Sequence, residues 1–181
     1  MLTQHVHELQ QDLVGLLDHE DTLNALSEVV LTAFNTGHKL LTCGNGGSAA
    51  EAAHLAEEFT GRFYRERKSL PGMCLSVDGT VLTCIANDYG FDEIFARQIH
   101  SLGMPGDVLI AFTSSGNSEN IRRALVAARE RGVVTGLFTG QDRRQVPGTR
   151  RLRAVHSERQ PQRDADSRMP SSAAAHALRI C

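Results

Sequence analysis

Short apolar runs alternate with helical stretches between residues 38 and 140, and small or polar residues separate them. Because a helix, and not a tight hairpin, joins each apolar run to the next, the strands should be parallel, and a parallel sheet needs helices on both faces. The pattern therefore predicts an α/β fold with three layers. Strands are expected at residues 39–43, 72–77, 108–112 and 133–138, and helices at 49–61, 81–86, 91–102 and 119–131.

Residues 1–36 precede this pattern and form two predicted helices. In the first helix, Val6, Leu9 and Leu13 recur at intervals of three and four, which places them on one face. The second helix, over residues 21–36, repeats this spacing and can end at Gly37. We expect both helices to pack on another subunit, because the small sheet domain offers them no evident partner.

The charge changes abruptly after residue 142. The whole chain has a formal charge of −2, yet residues 143–181 contain nine arginines, no lysine and three acidic residues. This tail has no aromatic residue and too few large aliphatic ones to offset the entropy of ordering. It is either a segment without a packed structure or a basic segment with affinity for nucleic acid. We divide the chain into helices 1–36, a core over 37–142 and an atypical Arg-rich tail over 143–181.

The cysteines and the apolar runs indicate where such a chain resides. None of the four cysteines forms a C-x-x-C pair, and three lie among apolar residues, so buried free thiols in a reducing cytoplasm are expected. No apolar run approaches the roughly 20 residues of a membrane span, and the N-terminus lacks the pattern of a secretory signal. We expect a cytoplasmic protein whose core has neither a membrane nor a nucleic acid as its partner.

Two polar loops follow predicted strands, and each opens a helix. Ligands of parallel sheets bind beyond the carboxyl ends of the strands, where both loops should lie. Hydroxyl groups and the free N–H groups of a helix N-terminus form an anion site. Neither loop is a GxxxxGK[ST] or GxGxxG motif, so a single phosphate fits better than a nucleotide. Ordinary turns with helix caps are the alternative. The loops are Gly44-Asn45-Gly46-Gly47-Ser48 and Thr113-Ser114-Ser115-Gly116-Asn117-Ser118.

Two further pairs of residues could carry chemistry. His54 and Glu58 lie four residues apart on the helix after the first loop, so they could bind one divalent metal, and Glu58 could act as a base. Surface pairs with this spacing are also common. Glu57 is expected on a different face. Asn87 and Asp88 follow a short predicted helix and could reach the same cleft, or serve as a turn or cap.

Taken in order, residues 43–48, 53–62, 86–91 and 113–118 resemble the phosphoheptose isomerases, a family with the sugar-isomerase, or SIS, fold. The resemblance covers roughly residues 1–142. It implies a Rossmann-like SIS sheet, a homotetramer and a zinc site. It also implies conversion of sedoheptulose 7-phosphate to D-glycero-D-manno-heptose 7-phosphate through an enediol, an early step in the synthesis of ADP-heptose and lipopolysaccharide precursors.

The resemblance further implies roles for matching residues. Asn45, Gly46 and Gly47 would line the sugar. Glu58 would be the catalytic base and, with His54, a zinc ligand. The remaining substrate contacts would be Asn87 and Asp88 on the sugar hydroxyls, Thr113, Ser114, Ser115 and Ser118 on the phosphate, and Arg62 from a neighbouring subunit.

The tail departs from the family pattern. The last helix of the family carries Arg-Ile-Gln-Glu-x-His, with a second His eight residues after the Gln, and these residues complete the zinc site and supply the partner acid or base. Residues 143–181 contain neither feature, and His156 and His176 have no Gln at that spacing. We therefore expect the chain as printed to be poorly soluble, with little isomerase activity.

A different class of function also fits part of the pattern. Some non-catalytic SIS proteins bind the bacterial replication initiator and share the glycine loop and the Asn-Asp segment, but lack an equivalent of Glu58. Glu58 and Gly47 favour the isomerase. A phosphosugar-sensing regulator is a third option, although residues 1–142 contain no recognisable DNA-binding module.

The abrupt change in composition leads to a prediction about the gene. If a reading-frame shift occurred near Asp142, translation of the encoding DNA in one of the other two frames should yield Arg-Ile-Gln-Glu-x-His after that point. Its absence from both frames would identify the tail as a genuine, divergent segment.

Overall fold

The parallel sheet predicted from the sequence is confirmed by a computed structural model, which describes residues 2–140 and the backbone of residues 150–153. The sheet order is β2-β1-β3-β4-β5, and the first four strands are parallel. The last strand runs antiparallel to β4, and the sequence did not predict it. The strands are β1 (Leu40–Gly44), β2 (Gly72–Cys74), β3 (Val108–Thr113), β4 (Val134–Gly140) and β5 (Arg150–Arg153).

Helices cover both faces of this sheet, as expected. Along β3, the side chains of Val108 and Ile110 join one core cluster, whereas Leu109 and Ala111 join the other, because successive residues of a strand point to opposite faces. The first cluster lies under α2 and α3, and the second under α4, α5 and α6. The helices are α1 (Leu2–Gly15), α2 (Glu20–Asn35), α3 (Gly47–Thr60), α4 (Gly79–Tyr89), α5 (Ala96–Leu102) and α6 (Glu119–Glu130).

The expectation that both N-terminal helices lack a partner in the sheet domain is wrong for α2. Its residues Leu26, Val30 and Ala33 are buried in the same cluster as Leu40 and Val108. In contrast, α1 has an exposed apolar stripe, which we define as Leu2, Val6, Leu9 and Leu13, each 45–78% exposed. Both helices have apolar residues at intervals of three and four, so the spacing does not distinguish them. Only the contact with the sheet does.

Several element boundaries differ from the sequence prediction. The strand β2 is only three residues long. The helix α4 begins at Gly79, because Asp78 caps its start by accepting the N–H groups of Thr80 and Val81, and it extends to Tyr89. Asn87 and Asp88 therefore lie in the last turn of α4 and not after it. The stretch 91–102 divides into a 3-10 turn, Phe91–Glu93, and α5.

The cysteines are less uniform than expected. Cys43 is buried on β1, and burial raises the pKa of its thiol. Cys74 is half-buried and Cys84 is exposed, so the prediction of buried thiols is wrong for Cys84. Residues 141–149 and 154–181, with Cys181, lie outside the described residues, as do most of the expectations for the tail. Among residues 2–140, every helix is too short or too polar to pass through a bilayer.

A buried carboxylate holds the amino ends of β1 and β3 together, opposite the edge where the polar loops lie. Asp107, whose side chain is 1% exposed, accepts the backbone N–H groups of Lys39 at 3.0 Å and Met104 at 2.8 Å. The Lys39 ammonium lies 2.5 Å from the same carboxylate. Hydrogen bonds to a charged, buried group are among the stronger ones in proteins.

Replacing this carboxylate should destabilise the fold. Asp107→Ala leaves two backbone donors and an ammonium group without their acceptor, so the free energy of unfolding should fall by about 2–4 kcal/mol. Chemical denaturation followed by circular dichroism measures the change. Glu130→Ala, on the exposed end of α6, is the matched control and should change stability by less than about 0.5 kcal/mol. Equal stability of the two variants would show that the carboxylate does not anchor the strands.

Candidate functional site

The chain changes direction across the sheet between its two central strands. From β1 it leads through α3 to β2 on one side, and from β3 it leads through α6 to β4 on the other. Between such strands, the connecting helices diverge and leave a crevice at the carboxyl edge. The two polar loops of the sequence, residues 44–48 and 113–118, lie at this position because they follow β1 and β3 directly.

The first loop turns tightly into α3. A Cβ atom at Gly44 would lie 2.3 Å from the carbonyl oxygen of Ser48, so no side chain fits there. Gly46 has φ +55°, in the region that glycine adopts most readily. The hydroxyl of Ser76, on the segment after β2, donates to the Gly44 carbonyl at 2.9 Å and accepts its N–H at 3.0 Å. The end of β1 is thereby fixed from both sides.

The second loop presents hydroxyl groups before the N-terminus of α6. Thr113 Oγ1 accepts the N–H of Gly116 at 3.2 Å, and Ser115 Oγ accepts the N–H of Asn117 at 3.2 Å. Ser118 occupies the N-cap position, yet its side chain makes no capping hydrogen bond. Its hydroxyl therefore has no role in holding the helix. Free N–H groups at a helix start, with hydroxyls beside them, can bind a phosphate.

A reciprocal pair of side-chain amides joins the two loops. Asn45 Nδ2 donates to Asn120 Oδ1, and Asn120 Nδ2 donates to Asn45 Oδ1, both at 2.9 Å. Asn120 is 2% exposed, whereas Asn45 is half-buried at the mouth of the crevice. The predicted sugar-lining residue is therefore bound to the first turn of the predicted phosphate helix.

An acidic residue lies in that same first turn. Glu119 accepts hydrogen bonds from Arg122 Nε at 2.7 Å and Arg123 Nε at 2.9 Å. These hydrogen bonds, of which the one from Arg122 has the larger effect, lower the pKa of the Glu119 carboxyl to about 2. The carboxylate is thus ionised at neutral pH, and Arg123, which also pairs with Asp92 and Glu93, joins it to a larger cluster of charges beside the candidate anion site.

A cluster of three possible metal ligands lies farther along α3. His54 Nε2 is 3.1 Å from Glu58 Oε1, as their spacing predicts. A carboxylate oxygen of Glu57 also falls within 4.8 Å of ligand atoms of both residues. The expectation that Glu57 points to a different face is wrong, because residues three apart on a helix are neighbours as well as residues four apart. Glu58 lies about three turns from the start of α3.

The structure places the remaining predicted residues elsewhere on the surface. Asn87 Nδ2 donates to Asp88 Oδ1 at 2.8 Å, and both residues are exposed on α4. Arg62, just beyond α3, lies 3.4 Å from Glu66, and both side chains are largely exposed. Within this single chain, the polar contacts of these residues stay local and do not lead to the two loops.

Two residues of the site were missed in the sequence. Asn120 follows the hydroxyl loop by two positions, and an asparagine inside a helix, where its propensity is poor, was the available signal. Ser76 had no such signal, because only the packing of β2 beside β1 brings its hydroxyl to Gly44.

Comparison with known proteins shows which family, relatives and solved structures this chain is similar to. A family model described as SIS domain matches residues 4–140. The phosphoheptose isomerase of Solidesulfovibrio magneticus is 47% identical over 130 residues, which are 72% of this chain and 64% of the relative. That of Rhodospirillum rubrum is 54% identical over 112 residues, or 62% and 60% of the two chains. The solved structure of phosphoheptose isomerase from Neisseria gonorrhoeae has a TM-score of 0.65 and 36% identity, covering 78% of this chain and 77% of its own.

The similarity has a defined extent. The chain spans about three fifths of the length of the curated relatives that it matches. The family match ends at residue 140, which is the end of β4 and lies close to the change in composition near residue 142.

The hydroxyl loop leads to a binding prediction. Ser115→Ala and Ser118→Ala should each weaken binding of a phosphorylated ketose by about 1–2 kcal/mol, because each removes one hydroxyl donor. Because the Ser118 side chain makes no capping bond, Ser118→Ala should leave the stability of α6 unchanged. Calorimetric titration measures both affinities, with Ser101→Ala on α5 as the hydroxyl control. An unaltered dissociation constant in the double variant would place the phosphate elsewhere.

Proposed function

This chain belongs to the SIS domain family, and from that premise we propose that it is a phosphosugar isomerase acting on sedoheptulose 7-phosphate. The product would be D-glycero-D-manno-heptose 7-phosphate, a precursor of ADP-heptose and of lipopolysaccharide. One observation carries the proposal: the helix that begins at the ligand edge of the sheet, α3, also bears the carboxylate of Glu58 in contact with an imidazole. Relatives named phosphoheptose isomerase support it.

The two loops would bind the substrate at its ends. Ser115 and Ser118, together with Thr113 and Ser114, would hold the phosphate at the start of α6, while Asn45, Gly46 and Gly47 would line the sugar. Binding energy from the phosphate, which does not react, would then position the reacting carbons. Asn87 and Asp88 are proposed to contact the sugar hydroxyls, and Arg62 to reach the site of a neighbouring copy.

Glu58 is proposed as the base. Its carboxylate would remove a proton from C1 of the ketose while the C2 carbonyl oxygen is protonated, which gives an enediol. Loss of the proton on O1 and return of a proton to C2 would complete the aldose. The side chain of Glu58 is 16% exposed and lies against His54, so it is shielded from water yet held in a fixed orientation. A positioned carboxylate can serve both transfers.

The cluster on α3 fits a divalent metal. Its donors are one imidazole nitrogen and two carboxylate oxygens, all within 4.8 Å of one another, a set that suits zinc. His54 and Glu58 would hold the ion, and Glu57 would supply the third protein ligand that catalytic zinc sites usually have. Bound zinc would supply stabilisation of negative charge on the enediolate oxygen.

We propose a homotetramer assembled through α1. The exposed apolar stripe of this helix is a surface that obligate interfaces bury. An assembly would also bring the Arg62 of one copy towards the site of another. Light scattering at micromolar concentration measures the mass, and a monomer would contradict the proposal.

The setting of the reaction follows from the same proposal. The substrate and product are small, charged metabolites, so we assign the protein to the cytoplasm. Residues 143–181 would impair turnover, because they lack the Gln and His pattern expected of the second acid or base. The alternative function, binding of a replication initiator, is not favoured, since the named relatives are isomerases and Glu58 is present.

Proton exchange tests the role of Glu58 independently of complete turnover. In D2O, the chain as printed should exchange a C1 proton of sedoheptulose 7-phosphate for deuterium, because this step needs the base but not the second acid or base. Glu58→Gln should slow the exchange by about 10²–10⁴-fold while the substrate still binds. Proton NMR of the sugar follows the exchange. Unchanged exchange in the variant would remove Glu58 from its assigned role.

Two companion variants complete this experiment. Glu57→Gln retains the base but should lower the zinc content of the purified protein, measured by elemental analysis, because it removes one of three ligands. Glu130→Gln, an exposed carboxylate on α6, should preserve both the exchange rate and the zinc content. Full zinc content in Glu57→Gln would exclude Glu57 from the ligand set.

A further inference from the structure

We propose that Asn120 is a positioning residue, which fixes the amide of Asn45 towards the sugar and links it to the phosphate helix. This inference rests on the proposed function, because it gives Asn120 a role in the same site. Asn120 was absent from every set of site residues that the sequence suggested. The structure brings it in through its pairing with Asn45.

The pairing restrains the Asn45 amide through two hydrogen bonds to a single partner. Each amide donates one N–H and accepts one hydrogen bond, and both distances are 2.9 Å. If the Asn45 amide rotated by half a turn, its oxygen would face the oxygen of Asn120 and its nitrogen would face a nitrogen. The loss of two hydrogen bonds therefore opposes rotation of the Asn45 amide alone.

The same pairing leaves Asn45 able to bind a ligand. An amide has two N–H donors and two acceptor sites on oxygen, so each partner retains one donor and one acceptor site. Asn120 is 2% exposed, and its remaining groups are out of reach of solvent. Those of the half-buried Asn45 are available to a sugar hydroxyl.

The location of Asn120 couples the two ends of the site. Asn120 lies two residues after Ser118 in the first turn of α6, where phosphate would bind, whereas Asn45 lies on the loop after β1. A shift of the helix start would therefore move Asn45. The backbone N–H of residue 120 remains when the side chain is replaced, so the anion site itself is preserved in a variant.

The experiment separates positioning from phosphate binding and from stability. Calorimetry on the full chain gives dissociation constants for inorganic phosphate and for sedoheptulose 7-phosphate. Asn120→Ala should weaken binding of sedoheptulose 7-phosphate about tenfold and change the dissociation constant for inorganic phosphate by less than about twofold.

Two further variants make the result specific. In the Asn45→Ala background, Asn120→Ala should cause no additional loss of sugar phosphate affinity, because the residue it positions is gone. Gln98→Ala is the matched control: Gln98 is a buried amide that donates to two carbonyl groups, of Leu75 and Ile94. It should destabilise the fold while leaving both dissociation constants unchanged.

Each outcome decides between support and rejection. If Asn120→Ala weakened binding of inorganic phosphate and of the sugar phosphate equally, Asn120 would be a phosphate contact and not a positioning residue. Additive losses of sugar phosphate affinity in the double variant would also reject the proposal. If the parent chain does not bind sedoheptulose 7-phosphate, the proposed substrate is wrong. Denaturant unfolding of Asn45→Ala, Asn120→Ala and the double variant then tests the pairing itself. Additive losses of stability would reject the pairing, and non-additive losses would support it.

Discussion

The arrangement of the site depends on the backbone pairing of β1 with β3. Five residue pairs, from Leu40 with Val108 to Gly44 with Phe112, hold these strands in parallel register, so both strands end at the same level. The loops that follow must then begin side by side, because adjacent parallel strands end at the same edge of the sheet. At the other end, the carboxylate of Asp107 fixes the same two strands by binding backbone groups on both sides. Register, more than any single side chain, determines that Asn45 and Asn120 can meet.

Much of this could be predicted from the sequence, because its signals are local or periodic. The apolar runs and the small residues after them predicted the four parallel strands, and the spacing of His54 and Glu58 predicted their contact. Contacts between distant segments could not be predicted in this way. Ser76 meets Gly44, and Asn120 meets Asn45, only after the sheet has formed. The burial of α2 was missed for the same reason, since an amphipathic helix does not reveal which surface it covers.

In the candidate site, the proposed phosphate anchor and the proposed proton-transfer group lie apart. Hydroxyl groups and helix N–H groups gather at the switch point, where Arg122 and Arg123 pair with the ionised carboxylate of Glu119. The carboxylates and the imidazole lie farther along α3. Such a division keeps the acidic groups that would handle protons away from the negative charge that would hold the substrate. It also makes the helix α3 the rigid link between the two tasks.

The glycines of the first loop differ in what they exclude. At Gly44 a Cβ would collide with the carbonyl of Ser48, and at Gly46 the backbone has a positive φ, so the chain itself requires glycine at both positions. At Gly47, in contrast, a Cβ would meet no atom within 4 Å, and no positive φ opposes a side chain. The fold therefore tolerates a side chain at residue 47, although glycine is present there. For protein engineering, residue 47 is the position of this loop where side chains of graded size could reshape the proposed site and alter which ligands it admits, without a clash in the turn.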